Sequence, residues 1–299
     1  MRFLILFVLL FSVFVFGLSL GVYKYPPFQS ISNIKNLITS SNLPDINGDL
    51  LKFSSCKIPK SSEVMKGSHA FIGHAYGSPV KPKADSYLAS NAQNFISTNS
   101  SKLKTLIFTG DVFSVPSLDK WKRLSFEAND GLEIFVAPGN HDVSRSDSRD
   151  VFLMSEFGHQ NYPFIKDLDN NFLILEDSVN TNWKVSNKTI NLANNSNAQK
   201  VIIARHNLPT DELSQLANSQ AEKSKKLGSI EQLVQQFDKN ILFYWVIGDS
   251  GAFPNLPRLT CLTFRNHTFI INGIGEIPGD SVILYHKGKF SEYELSSTQ

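Results

Sequence analysis

Residues Leu106 to Ser144, LIFTGDVFSVPSLDKWKRLSFEANDGLEIFVAPGNHDVS, decide the fold. The apolar run Thr105 to Phe108 closes on Gly110 and Asp111, and Leu132 to Ala137 closes on Pro138, Gly139, Asn140, His141 and Asp142. Between them, Ser117 is placed to cap a helix carrying Trp121, Leu124 and Ala128 near one face. A strand, crossover helix and second strand of this length favour parallel pairing, so both polar turns leave the same edge of one sheet. Asp111, Asn140, His141 and Asp142 therefore meet where α/β sheets bind ligands.

Upstream, His69 to Ile72 reads as a short strand followed by Gly73, His74, Ala75, Tyr76 and Gly77. Asp85 then caps a helix with Leu88, Ala92, Phe95 and Ile96 on one face. Downstream, Val143 to Asn170 shows no clear period and reads as loops. Asn171 to Glu176 reads as a strand, with Trp183 to Val185 as its expected partner. Val201 to Arg205 is a strongly apolar run closed by His206, and strand alternation sends Arg205 and His206 to opposite faces. Ile230, Leu233, Val234 and Phe237 mark an amphipathic helix, and Ile241 to Ile247 a buried strand ending in Gly248, Asp249, Ser250 and Gly251. Four antiparallel strands are expected to finish the chain, over Arg258 to Phe264, Thr268 to Asn272, Ser281 to Tyr285 and Phe290 to Leu295, with Lys287 and Gly288 turning the last pair. Strands alternating with helices predict an α/β domain.

Gly110-Asp111 followed by Gly139-Asn140-His141-Asp142, in that order at strand ends, resembles the second and third motifs of the calcineurin-like metallophosphoesterases. The resemblance runs roughly from Ser68 to Leu295 and implies a two-sheet sandwich flanked by helices, a four-layer α/β/β/α fold. It implies one ion held by Asp111, Asn140, His206 and Asp249, the last standing where the family has a histidine. A second position would fall to His74, Tyr76, Asp111 and the place of Gly251. There the family's Asp-x-His-Gly reads His74-Ala75-Tyr76-Gly77, and the second histidine of its Gly-His-x-His motif is Gly251. One ion rather than two is therefore expected, and this oxygen and imidazole set suits manganese, iron or magnesium. By the same resemblance His141 polarises the phosphate or protonates the leaving oxygen, oriented by Asp142, while His74 serves as a ligand or general base. Arg145 and Arg149 are read either as phosphate contacts or as solvated surface charge.

A net charge of +2, with no basic cluster interleaved with aromatics, gives no expectation of nucleic-acid binding. Phe3 to Val22 is an uncharged, mostly apolar run of about 20 residues, enough to span a bilayer. Residues 1–23 are thus expected to be a signal anchor, or a signal peptide cleaved after Gly17 or Gly21, and 24–67 a connector that forms a stem or lies along the domain at 68–299. Arg2 favours a cytoplasmic amino terminus, leaving the main domain membrane-anchored outside the cytoplasmic membrane, or exported after cleavage. Two readings of Cys56 and Cys261 stay open, a disulfide or two unpaired thiols with Cys261 buried.

The leading expectation is metal-dependent hydrolysis of a phosphomonoester or phosphodiester, its substrate a phosphorylated small molecule or an envelope glycan or lipid. The alternatives are an inactive descendant binding a phosphorylated or glycan ligand, and a structural envelope protein whose polar turns only stabilise the fold.

Overall fold

The computed structural model describes residues 53–79, 87–127, 131–216, 227–250 and 258–296. The N-terminal apolar run, most of the connector, Asp85, Ala128 and Gly251 lie outside them. No helix among the described residues is long and apolar enough to cross a membrane.

Among the described residues, thirteen strands form two mixed sheets. The six-stranded sheet contains β2 (Lys60–Ser61), β3 (Ser68–Ile72), β4 (Leu103–Phe108), β5 (Glu133–Val136), β12 (Ser281–His286) and β13 (Lys289–Glu294), in the order β2-β13-β12-β3-β4-β5. The seven-stranded sheet contains β1 (Ser54–Ser55), β6 (Phe164–Leu168), β7 (Asn171–Leu175), β8 (Lys200–Arg205), β9 (Leu242–Ile247), β10 (Leu259–Phe264) and β11 (His267–Asn272), in the order β1-β10-β11-β9-β8-β7-β6. As expected, β4 and β5 are parallel, and β3 joins β4 in the same sense.

Side-chain alternation makes the layers. Along β4, Leu106 and Phe108 enter one apolar cluster while Ile107 enters another. In β8, Val201 and Ile203 part in the same way from Ile202 and Ala204. Ile107, Phe71, Ile202, Ala204 and Val246, drawn from both sheets, share one core. The opposite face of the six-stranded sheet is covered by helices α1 (Ser90–Asn99) and α2 (Leu118–Glu127), through Ala92, Phe95, Trp121 and Leu124. Ser117 Oγ accepts from the Lys120 amide at 3.3 Å, the expected cap of α2. Two further helices follow the β5 turn, α3 (Asn140–Val143) and α4 (Ser146–Leu153). The outer face of the seven-stranded sheet packs on α5 (Asn187–Asn194), α6 (Asp211–Leu216) and α7 (Ile230–Val234), through Ile190, Leu213 and Leu233.

Three expectations are corrected. Trp183 to Val185 forms no strand, because both edges of β7 are taken, by β6 and by β8. Trp183 instead sits in a turn at φ +73, its amide donating to the Ser178 carbonyl at 2.7 Å. The closing strands pair antiparallel two by two, β10 with β11 and β12 with β13, but the pairs enter different sheets and β11 runs parallel to β9, so the finish is not antiparallel throughout. Burial explains the placement, since β11 hides Phe269, Ile270 and Ile271 and suits a sheet interior, whereas half-exposed β10 suits a place near the edge. Finally, Val143 to Asn170 holds α4 and β6, the latter turning into β7 through Asp169 and Asn170, both at positive φ.

Cys56 and Cys261 form a disulfide with a Cα separation of 5.0 Å, and β1 and β2 pair with β10 and β13. The end of the connector therefore lies along the domain.

His267 illustrates what burial does to a titratable group here. Trp245 Nε1 donates to its Nδ1 at 3.0 Å, and the Phe243 ring stacks on it at 4.7 Å. Burial, aided by Arg265, lowers its pKa to about 3. The folded protein thus binds fewer protons here than the unfolded chain between about pH 6.5 and 3, so this contribution is present above pH 6.5 and lost as pH falls. His69, whose pKa burial also lowers, acts in the same direction. Urea midpoints are expected to drop between pH 7.5 and pH 4.5. In His267→Phe that drop should shrink, although stability at pH 7.5 falls by about 1–3 kcal/mol because the Trp245 N–H loses its acceptor. An undiminished drop would remove His267 from the acid response.

Candidate functional site

Five strands deliver the candidate residues. His74, Asp111 and Asn140 follow the carboxyl ends of β3, β4 and β5, and His206 and Asp249 follow those of β8 and β9. The loops are tied to one another: the His74 amide donates to the Gly110 carbonyl at 3.0 Å within the six-stranded sheet, and the Ile274 amide to the Gly73 carbonyl at 3.0 Å, across the two sheets. Two glycines allow the approach. A Cβ on Gly139 would stand 2.2 Å from the Asp111 nitrogen, and one on Gly110, at φ +88, would stand 2.5 Å from the His206 ring. His74 and Asp111 themselves hold φ values of 55 and 53, a left-handed backbone that costs energy in residues with a Cβ and concentrates at functional sites.

His206 is the centre of the cluster. Its Nδ1 donates to the Thr109 carbonyl at 3.0 Å, so Nε2 is the nitrogen left facing the other groups. Around Nε2 stand Asn140 Oδ1 at 3.1 Å, Asp111 Oδ1 at 3.4 Å and Asp249 Oδ1 at 3.5 Å. Three oxygens around one nitrogen lone pair repel unless a positive charge lies among them. Burial opposes a charge on His206, but Asp111 and Asp249 outweigh it and raise the pKa. A proton or a cation therefore belongs at this place.

Asp111 is 2% exposed and serves two neighbours. Its Oδ1 also accepts the His141 amide at 2.9 Å, while its Oδ2 lies 3.6 Å from His74 Nε2. Burial opposes its charge, yet His206, His141, His74 and that amide together hold its pKa below the usual carboxylate value. Burial, against the pull of Asp111, lowers His74 to about 4. His74 is thus neutral at pH 7, its Nδ1 donating to the Gly77 carbonyl at 2.9 Å and its Nε2 lone pair turned to Asp111.

Tyr76 approaches the other side of the site. Burial first, then Asp111, raises its pKa, so the phenol keeps its proton and makes a poor metal ligand. Its hydroxyl lies 3.4 Å from His141 Nε2, and His141 Nδ1 donates to the Ser114 carbonyl at 3.0 Å. Ser114 orients the ring, a role expected of Asp142. Asp142 instead accepts the amides of Gly139 at 2.9 Å and Val112 at 3.1 Å, locking the two polar turns together. Burial, then Asp111, raises its pKa to about 7.

Behind the cluster lies a polar network that the sequence reading passed over. Arg205, fully buried, pairs with Glu176 at 2.7 Å, and donates to the Asn207 carbonyl at 2.7 Å and to the Trp183 carbonyl. It faces away from His206, as strand alternation required. Asn207 bonds Ser178 and gives its Nδ2 to Asp249 Oδ2 at 3.2 Å, leaving Asp249 Oδ1 turned to His206. Asn207 directly follows the strand-end histidine, and that adjacency was the available signal. If the groups around His206 hold a divalent cation, Asn207→Ala should weaken Mn2+ binding about 10- to 100-fold. Unchanged affinity by calorimetry would show that Asp249 holds its direction alone.

No family model matches the sequence, and no curated protein matches it.

Among the described residues, no group of three or more His, Cys, Asp and Glu side chains is arranged to hold a metal ion as it stands. The cluster around His206 includes an asparagine and contacts of 3.4 and 3.5 Å. Atoms sharing one ion through bonds of about 2.1 Å lie about 3.0 to 3.4 Å apart, which is close to the separation of His206 Nε2 from each of the three oxygens.

Proposed function

We propose that this chain is a metal-dependent phosphoric ester hydrolase of the metallophosphoesterase type, acting on a phosphomonoester or phosphodiester outside the cytoplasm. The observation that carries the reading is His206 Nε2 enclosed by Asp111, Asn140 and Asp249 oxygens while its other nitrogen is committed to Thr109. These four residues would hold one divalent cation, manganese, iron or magnesium by their chemistry. When bound, the ion supplies Lewis-acid polarisation of the phosphoryl group and a lowered pKa for water.

The chain's own groups do the rest. His141, its Nδ1 proton committed to Ser114, presents Nε2 and delivers a proton there to the leaving oxygen. When Nε2 carries that proton, the Tyr76 oxygen 3.4 Å away accepts from it, which leaves the phenol proton for a phosphoryl oxygen. On the second side, His74 Nε2 and Asp111 Oδ2 face each other and Tyr76 is held as a phenol, a poor ligand, which supports one ion rather than two. There His74 acts as an auxiliary ligand or as a base taking a proton at Nε2.

The test is turnover of bis(p-nitrophenyl) phosphate and p-nitrophenyl phosphate with Mn2+. Activity should appear with metal and fall about 100- to 10,000-fold in His141→Ala, which keeps its Mn2+ affinity. Metal binding without turnover of any ester would favour the non-catalytic, ligand-binding alternative.

A further inference from the structure

A cleft of about 240 Å³ opens beside the proposed centre, with Asn140 and His141 in its wall. Its volume lies below the roughly 300–1,000 Å³ that encloses a drug-sized ligand, so it suits a smaller group. The remaining wall is about as apolar as it is polar and nearly neutral in sum, with Ser114, Ser144, Ser148, Arg145 and Asp147 set beside Val115, Pro116 and Val151. Arg145 is exposed and makes no side-chain hydrogen bond or ion pair among the described residues. Arg149, by contrast, is committed to Asp177 at 3.2 Å and the Val143 carbonyl at 3.1 Å. A guanidinium only donates, a carboxylate only accepts, and a serine does both. That mixture matches neighbouring hydroxyls, each of which donates and accepts, while Asp147 disfavours a second anionic group. Val115 and Val151 offer no aromatic surface on which a nucleobase would stack.

We propose that this cleft receives a small polyhydroxylated leaving group, so that the substrates are phosphoric monoesters of sugars or polyols, selected by Arg145 and Asp147. This rests on the phosphoesterase reading above and narrows it.

Binding by calorimetry to Mn2+-loaded His141→Gln, in which esters should persist, provides the test. The ligands are inorganic phosphate, glucose 1-phosphate, phenyl phosphate and adenosine monophosphate. Glucose 1-phosphate should bind about 10-fold or more tighter than phenyl phosphate, because hydrogen bonds to charged groups are worth about 1.5–3 kcal/mol each. Adding Arg145→Ala or Asp147→Ala should erase that preference and leave inorganic phosphate binding unchanged. Equal binding of the sugar and phenyl esters, with phosphate bound, would overturn the cleft assignment and spare the phosphoesterase reading. Tighter binding of adenosine monophosphate would overturn it in favour of a nucleotide. No binding of phosphate to the metal-loaded protein would bring down both.

Discussion

Asp111→Asn is expected to cut ester hydrolysis by about 100-fold or more and to abolish stabilisation by Mn2+. The carboxylate is set against both His206 and His74, through different oxygens. The amide that replaces it keeps the shape and one acceptor for the His141 N–H, but supplies no negative charge to offset a cation. Wild-type protein at a Mn2+ concentration about 100 times its dissociation constant should gain about 2.7 kcal/mol of stability. The variant should gain almost none. Without metal it should be modestly less stable than wild type at pH 7, because the neighbouring imidazoles and the His141 amide outweigh burial and stabilise the charged carboxylate in the fold. If instead Asp111→Asn destabilises the metal-free protein by several kcal/mol and wild type shows no response to Mn2+, the cluster is a structural brace. The third reading, of a non-enzymatic envelope protein, would then be preferred.

The second large effect belongs to Arg205. Arg205→Met should lower stability by about 3–5 kcal/mol, the range for removing one partner of a buried ion pair. Glu176 is 1% exposed, and after the substitution its charge is left with the Ser186 amide and the Thr189 hydroxyl, each at 2.8 Å. Arg205→Met combined with Glu176→Leu should recover much of that loss, since two apolar groups bury without desolvating a charge. Metal affinity should stay reduced in both variants, because the Asn207 carbonyl loses the Arg205 donor and Asn207 in turn directs Asp249. Denaturant midpoints and Mn2+ calorimetry on the same proteins separate the two effects. A cost below about 1 kcal/mol for Arg205→Met would mean that the pair does not anchor this part of the fold.

Much of the site was legible because strand ends announce themselves. Apolar runs stopping at Gly110-Asp111, Gly139-Asn140, His206 and Gly248-Asp249 place polar side chains at sheet edges, and parallel pairing brings the edges together. The hairpin of β6 and β7 was missed because its strand alternates weakly and its turn is Asp169-Asn170 rather than a glycine pair. The Ser186 cap and short apolar face of α5 were likewise passed over. Trp183 to Val185 looked like a strand because composition reports β propensity and not whether a sheet has an edge left to pair.

By itself the sequence determined the α/β alternation, the order of the polar turns and the residue types gathered in them, because these depend on local periodicity and on strand direction. Only the tertiary structure decided that His206 is ringed by three oxygens, that Ser114 and not Asp142 orients His141, and that Cys56 meets Cys261. It also decided which of two nearby arginines is free to face a ligand. Each of these is a contact between residues distant in the chain, set by how two twisted sheets pack, and no local pattern carries that distance.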